Sequence, residues 1–248
     1  MPINESQKFL EAFKGFEDHY ILIGGTATSI VLTEYNIESR ATRDYDIVIM
    51  DEKKDQHFFN VVTKFLEEGG YAPSILDREG KLYRFSTSKD GYPKMIELFC
   101  VRPHWLTRGG QTAPVHFDEE MSLSALLLDQ DYYDLLEIGR TITKGYSVLN
   151  NVYLIIFKAK AWLDLNEKRS RGMQIDSKNI KKHLNDIARL TSSIKSTEKV
   201  FLPENVQEDM CKFLDLLEKN IAKIPQNKDI LLDRQGIFDL LNAILNKS

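Results

Sequence analysis

The chain has 248 residues, 42% of them hydrophobic and 28% charged, with only two cysteines. This composition excludes collagen, low-complexity disorder, coiled coil and a disulfide-stapled scaffold, and so sparse a cysteine pair suits a reducing, cytoplasmic setting. The N-terminus MPINESQKFLEAFKGFEDHY has no basic flank before an apolar run, and no uninterrupted apolar stretch reaches about 18 residues, so neither export nor membrane insertion is expected. The net charge of −4 is unevenly spread: residues 158–199 carry a surplus of 6 positive charges, whereas residues 1–157 carry a deficit of 8. An acidic first part followed by a basic stretch points to metal in one place and an anionic partner in another.

In chain order, Ser6 to Phe16 reads as an amphipathic helix, and Tyr20–Gly25 (YILIGG) as a buried strand ending in a tight turn. A helix from Thr26 to Tyr35 follows, then Asp44–Met50 (DYDIVIM) as a central strand, then a helix over Lys53–Glu68 stopped by Gly69-Gly70. Lys81–Ser86 and Lys94–Cys100 read as two strands with Asp90-Gly91 between them as a turn. Leu123–Leu128, Asp134–Gly139 and Tyr146–Leu149 read as short strands or edges.

From Asn151 the apolar period becomes helical. Val152, Ile155, Ile156, Ala159 and Leu163 form one stripe, Ile180, Leu184, Ile187 and Ala188 a second, and Val206, Met210, Phe213, Leu217 and Ile221 a third, with Pro203 near a helix start and Ile237–Leu245 as the last helix. The expected fold class is α+β: a mixed sheet with flanking helices over residues 1–150, followed by a helical bundle over residues 151–248.

Three features could carry chemistry. Gly24, Gly25 and Thr26 stand where a strand passes into a helix, a place where backbone N–H groups approach a phosphate closely and the helix N-terminus adds partial positive charge. A plain connecting turn explains the glycines equally well. Asp44 and Asp46 flank Tyr45 at the opening of an apolar strand, so the two carboxylates share one face. Asp129-Gln130-Asp131 has the same spacing without that context. Glu97 interrupts the apolar strand MIELF, where a carboxylate is costly to bury unless it is paired, protonated or bound to a cation; an edge strand facing water is the bland alternative.

Three carboxylates converging on one point repel each other by about 1 kcal/mol per pair at ~4 Å in water, and more in a protein. A divalent cation reverses the sign. Hard oxygen donors without a Cys or His cluster point to Mg²⁺ or Mn²⁺, and a neighbouring phosphate-binding turn points to phosphoryl or nucleotidyl transfer from an NTP.

The series GGTATSIVL, RATRDYDIVI and MIELF, with FKAKAWLDL and DSKNIKKHLNDIARL further on, resembles the nucleotidyltransferase superfamily that includes DNA polymerase beta. Within it, R-x-T-R-D-x-D and the long gap from the glycines to the aspartates look most like the AbiEii-type abortive-infection toxins. The resemblance covers roughly residues 20–190. It implies that Gly24, Gly25 and Thr26, with Arg43, bind the donor nucleotide, that Asp44, Asp46 and Glu97 hold Mg²⁺ or Mn²⁺, and that Glu97 acts as general base. Thr26 stands where serine is common in the wider superfamily.

Toxins of this type also use a lysine and an aspartate from the helical half, which the resemblance assigns to Lys158 and Asp186. On a helical wheel Lys158 lies among Leu154, Trp162 and Leu165, whereas Lys160 lies beside Tyr153, Asp164 and Glu167. Lys158 is expected to reach a phosphate across an interdomain cleft, or to snorkel to solvent. Asp186 is expected to orient a cationic group or to form a surface ion pair with Lys182 or His183. Lys178, Lys181, Lys182 and Arg189, with Lys168, Arg169 and Arg171, form the expected footprint for a polyanionic acceptor such as tRNA, through phosphate contacts.

The leading expectation is a toxin-like nucleotidyltransferase that moves a nucleoside monophosphate from an NTP to an RNA (tRNA 3′ end) or protein hydroxyl, with a cognate antitoxin as partner. The alternatives are an antibiotic-modifying nucleotidyltransferase, disfavoured by the basic helical part, and a decayed relative that binds nucleotide or RNA without turnover.

Overall fold

The computed structural model describes residues 6–39, 42, 44–50, 55–76, 82–99, 129–195, 198 and 200–246. These form an α+β protein with a seven-stranded mixed sheet. The chain divides into two compact units, one holding Met1–Ile30, Arg40–Leu128 and Arg140–Leu149, the other Val31–Ser39, Asp129–Gly139 and Asn150–Ser248.

In the first unit, helix α1 (Gln7–Phe13) is capped by the Ser6 hydroxyl, which accepts from the Phe9 N–H. Strand β1 (Tyr20–Ile23) runs directly into helix α2 (Gly24–Glu34). Strand β2 (Asp44–Ile49) returns antiparallel to β1, and helix α3 (Gln56–Glu68) follows with Asp55 as its N-cap. Strands β3 (Ala72–Leu76), β4 (Leu82–Ser86) and β5 (Met95–Phe99) form an antiparallel series, with β5 lying parallel to β2.

The sheet order is β3-β4-β5-β2-β1-β7-β6, closed at the far edge by the hairpin of β6 (Arg140–Thr143) and β7 (Tyr146–Leu149). Its two-residue loop, Lys144-Gly145, has positive φ at both positions, the type I′ geometry that matches strand twist.

An aromatic core covers one face of this sheet. Phe9 stacks on Phe13 at 4.3 Å and meets Tyr20, Tyr45 and Phe65 edge-on. Truncating so enclosed a ring to alanine costs about 3–5 kcal/mol in comparable cores. Tyr45 belongs to this face, where its hydroxyl accepts from the Ser6 N–H at 3.2 Å. The strand's period of two therefore sends Asp44 and Asp46 to the opposite face.

The second unit is helical: α4 (Gln130–Gly139), α5 (Asn151–Ser170), α6 (Ser177–Leu190), α7 (Glu204–Glu218) and α8 (Arg234–Leu245). Asn150, Asp176 and Asp233 cap α5, α6 and α8 with side-chain oxygens, and Pro203 precedes α7. Trp162 and Phe213 meet edge-on at 5.5 Å in its core.

Residues 134–139 are helical and not a strand. The buried set Tyr132, Tyr133, Leu135, Leu136 and Gly139 has helical spacing, which becomes visible only when the window opens before Asp134. Ile221 belongs to a short 3-10 turn past the end of α7. Two strands escape the sequence reading, β3 and β6. Pro73 lies in β3, which is an edge strand with a register shift between Pro73 and Ile75, the setting in which proline is tolerated. The expected strand Leu123–Leu128 lies outside the described residues, as do Cys100 and Arg43. Among the described residues no helix is long and apolar enough to cross a membrane.

Candidate active site

The start of α2 and the start of β2 meet closely. Gly24 has φ +67, and a Cβ at this position would clash with Oδ2 of Asp46 and lie 2.9 Å from its Cγ. Only glycine meets both demands, the left-handed backbone and the contact with the carboxylate. Thr26 is buried, and its hydroxyl donates to the Asp44 carbonyl at 2.6 Å and lies 3.1 Å from the Thr42 hydroxyl. Thr26 thus ties the helix start to the strand that bears both aspartates. Thr28 closes the first turn by donating to the Gly24 carbonyl at 2.7 Å.

The parallel pairing of β2 with β5 puts Asp46 opposite Glu97, and the antiparallel pairing of β5 with β4 puts Glu97 opposite Arg84. One lateral row therefore reads Ile23, Asp46, Glu97, Arg84 across four strands. Directly paired residues share a face, so Glu97 stands on the same side of the sheet as the two aspartates, one strand spacing (about 4.8 Å) from Asp46. Asp44 and Asp46 are half-buried, whereas Glu97 is buried.

The Glu97 carboxylate is engaged. Arg84 Nε donates to Glu97 Oε1 at 2.7 Å, and Nη2 reaches the same oxygen. Arg84 escaped the sequence reading, although a signal for it exists. Pairs symmetric about the Asp90-Gly91 step, such as Leu82 with Phe99 and Ser86 with Met95, are the observed pairs of the hairpin, and the same symmetry sets Arg84 against Glu97. Among the described residues no group of three or more His, Cys, Asp or Glu is arranged to hold a metal. The residues that could offer hard oxygens are Asp44 and Asp46, half-buried on one strand face, with Glu97 in register beside them but bound to Arg84.

In the second unit, Lys158 on α5 and Asp186 on α6 pair with each other, Nζ to Oδ2 at 2.8 Å, with only 6% and 3% of their side chains exposed. Lys158 therefore does not snorkel, and Asp186 is buried and not a surface residue. It meets the ammonium of Lys158, from the neighbouring helix.

Lys160, two residues on, binds Asp209 Oδ2 at 2.9 Å and Asp164 Oδ1 at 3.1 Å. Burial by itself lowers the Lys160 pKa, but the Asp209 hydrogen bond and Asp164 more than offset it, so the ammonium is held above its ordinary value. Tyr132 donates to the same Asp209 oxygen at 3.0 Å, and burial followed by the Asp209 charge pushes its phenol upward. Of the basic footprint, Arg169, Arg171, Lys178 and Lys181 are exposed, whereas Lys168, Lys182 and Arg189 are half-buried. A scan against known protein families finds none that matches this chain, and no curated protein matches it significantly.

Proposed function

We propose that the chain is a nucleotidyltransferase of the AbiEii toxin type with a nucleotidyltransferase-like fold, dependent on Mg²⁺ or Mn²⁺, that moves a nucleoside monophosphate from an NTP to a hydroxyl of RNA or protein. The observation that carries this reading is the registration of Glu97 beside Asp46 on the face that also bears Asp44, next to the glycine start of α2. When bound, the divalent cation supplies charge neutralisation for the triphosphate and acidifies an attacking hydroxyl.

The chain's own residues do the remaining work. Asp44 and Asp46 present hard oxygens from one strand face. Backbone N–H groups at Gly24, Gly25 and Thr26 open α2 and, with the partial positive charge of the helix start, suit the donor phosphates. The acceptor oxygen attacks the α-phosphorus, the bond to the β-phosphate oxygen breaks, pyrophosphate leaves, and the hydroxyl proton passes to a carboxylate, a role the resemblance gives to Glu97. It also gives the phosphate-binding cation to Lys158, which Asp186 orients. Exposed Arg169, Arg171, Lys178 and Lys181 suit the phosphates of an acceptor such as tRNA, with affinity that falls as salt rises.

The test is incubation with labelled NTPs, Mg²⁺ and a cell extract. Label should move to RNA or protein in the wild type and fail to move in Asp44→Ala/Asp46→Ala. Absence of transfer, or transfer that survives the double substitution, sinks the reading.

A second reading, a nucleotide-binding relative without turnover, is favoured by one observation: the Glu97 carboxylate is already held by Arg84. Calorimetric NTP binding in Mg²⁺ without any transferred label would select it.

A further inference from the structure

Helix α6 withdraws two faces from water. Its apolar stripe, Ile180, Leu184 and Ile187, lies opposite a polar one on which Lys182, Asp186 and Arg189 stand at i, i+4 and i+7. Asp186 on that face is spent on Lys158. Arg189, one turn on, differs: its Nε and Nη1 are enclosed away from solvent, and among the described residues no hydrogen-bond acceptor meets either. A guanidinium stays charged at every relevant pH, so the cost of enclosing it is not relieved by losing a proton.

The two orphaned nitrogens lie on different edges of the guanidinium. Nε forms one bidentate edge with Nη2, and Nη1 forms the other with the same Nη2. Arg84 shows the first edge in use, with Nε and Nη2 both on Glu97, whereas in Arg189 neither edge is complete. One planar carboxylate fills a single edge; two linked phosphates present oxygens to both. We propose that Arg189 is the centre of an oxyanion site on α6 that takes a pyrophosphate-type group, two linked phosphates, either free or as the tail of a nucleotide. Arg189 as a whole is half-buried, so it is not sealed from solvent. The site needs no divalent ion and no turnover, and it stands or falls apart from the transferase reading.

Its signature differs from that of a structural arginine. Removing a guanidinium that braces the fold lowers stability, whereas removing one that awaits a ligand raises it and abolishes the ligand's effect. Pyrophosphate binding to the full chain is measured by titration calorimetry, at fixed ionic strength with EDTA present, in the wild type, Arg189→Met, Arg189→Lys and Lys181→Met, the last at an exposed cation of the same helix. Arg189→Met should bind roughly tenfold more weakly, the loss of one charge-assisted contact. Arg189→Lys, which keeps the charge but loses the fork, should fall between, and Lys181→Met should stay close to the wild type. Orthophosphate, which fills one edge, should bind the wild type more weakly than pyrophosphate, and equal affinity overturns the two-phosphate assignment. Without pyrophosphate the thermal transition of Arg189→Met should lie about 2–4 °C above that of the wild type. Added pyrophosphate should raise the wild-type transition alone of these two.

Displacement of pyrophosphate by ATP identifies a nucleotide tail as the occupant, and its failure identifies the free ion; both outcomes support the site. Should Arg189→Met not fold, Arg189→Lys carries the binding test. No pyrophosphate binding by the wild type, equal binding by Arg189→Met, or an equal loss in Lys181→Met overturns the proposal. An Arg189→Met chain less stable than the wild type without pyrophosphate shows that the guanidinium already has its partner within the chain, and overturns it as well.

Discussion

The carboxylate of Asp46 occupies the space that a side chain at Gly24 would need. Helix start and strand start are thereby locked to one another, and the lock tolerates no Cβ. Gly24→Ala should displace Asp46 and force an L-residue into φ +67, with a loss of about 1–3 kcal/mol for the backbone strain alone. Urea denaturation reads the stability, and Mn²⁺ titration reads the carboxylate. A variant with wild-type stability and metal affinity would contradict the close approach.

Thr26 is buried and spends its hydroxyl on the Asp44 carbonyl. Thr26→Ser keeps the donor and should remain close to the wild type, whereas Thr26→Val removes the hydroxyl that the half-buried Asp44 carbonyl accepts from and should lose about 1 kcal/mol. Chemical denaturation of the two variants separates these outcomes. Equal losses would show that the methyl group matters and the hydroxyl does not.

Lys158 and Asp186 form a buried ion pair within the helical unit. Lys158→Met or Asp186→Leu, made singly, should cost about 3–5 kcal/mol because each strands a buried partner. Lys158→Met/Asp186→Leu should recover much of that stability. A double-mutant cycle by urea denaturation measures the coupling. Label transfer that returns along with stability would assign the pair a purely structural role; transfer that stays lost would assign it to the reaction.

Tyr132 and Lys160 both converge on Asp209, and both have pKa values raised on folding. A raised value means that the folded state holds its proton more tightly than the unfolded one. The stability these groups contribute is fully present below their ordinary values and is lost as pH rises through the folded ones. The urea midpoint should therefore be flat on this account near neutrality and decline above about pH 10. Tyr132→Phe removes the phenol's share, so its decline should be shallower. An identical slope in the variant would sever Tyr132 from the alkaline transition.

Much of the fold was legible because burial writes a period into the chain. DYDIVIM carries a strand's alternation at its opening, and the stripe Ile180, Leu184, Ile187 and Ala188 carries a helix's, so β2 and α6 fall within a residue or a few of their expected positions. The strands at the two edges of the sheet were less legible. β3 contains a proline that a central strand would not accept, and β6 is half exposed, so neither shows a clean apolar signature. The 134–139 segment hides its helical period because the buried stripe begins at Tyr132, ahead of Leu135 and Leu136.

The sequence by itself determined which groups are available: two aspartates on one strand face, a glycine pair where strand becomes helix, a glutamate inside an apolar run, and a lysine on an apolar helix flank. Those are local facts, set by the chain's period and by the absence of a side chain at Gly24. Partner choice was decided only by tertiary structure. Glu97 finds Arg84 because a hairpin register aligns them, and Lys158 finds Asp186 because α5 packs on α6. Each pair joins residues many positions apart, and for a buried charge the identity of the partner, more than the presence of the charge, decides whether it serves as brace, ligand or base.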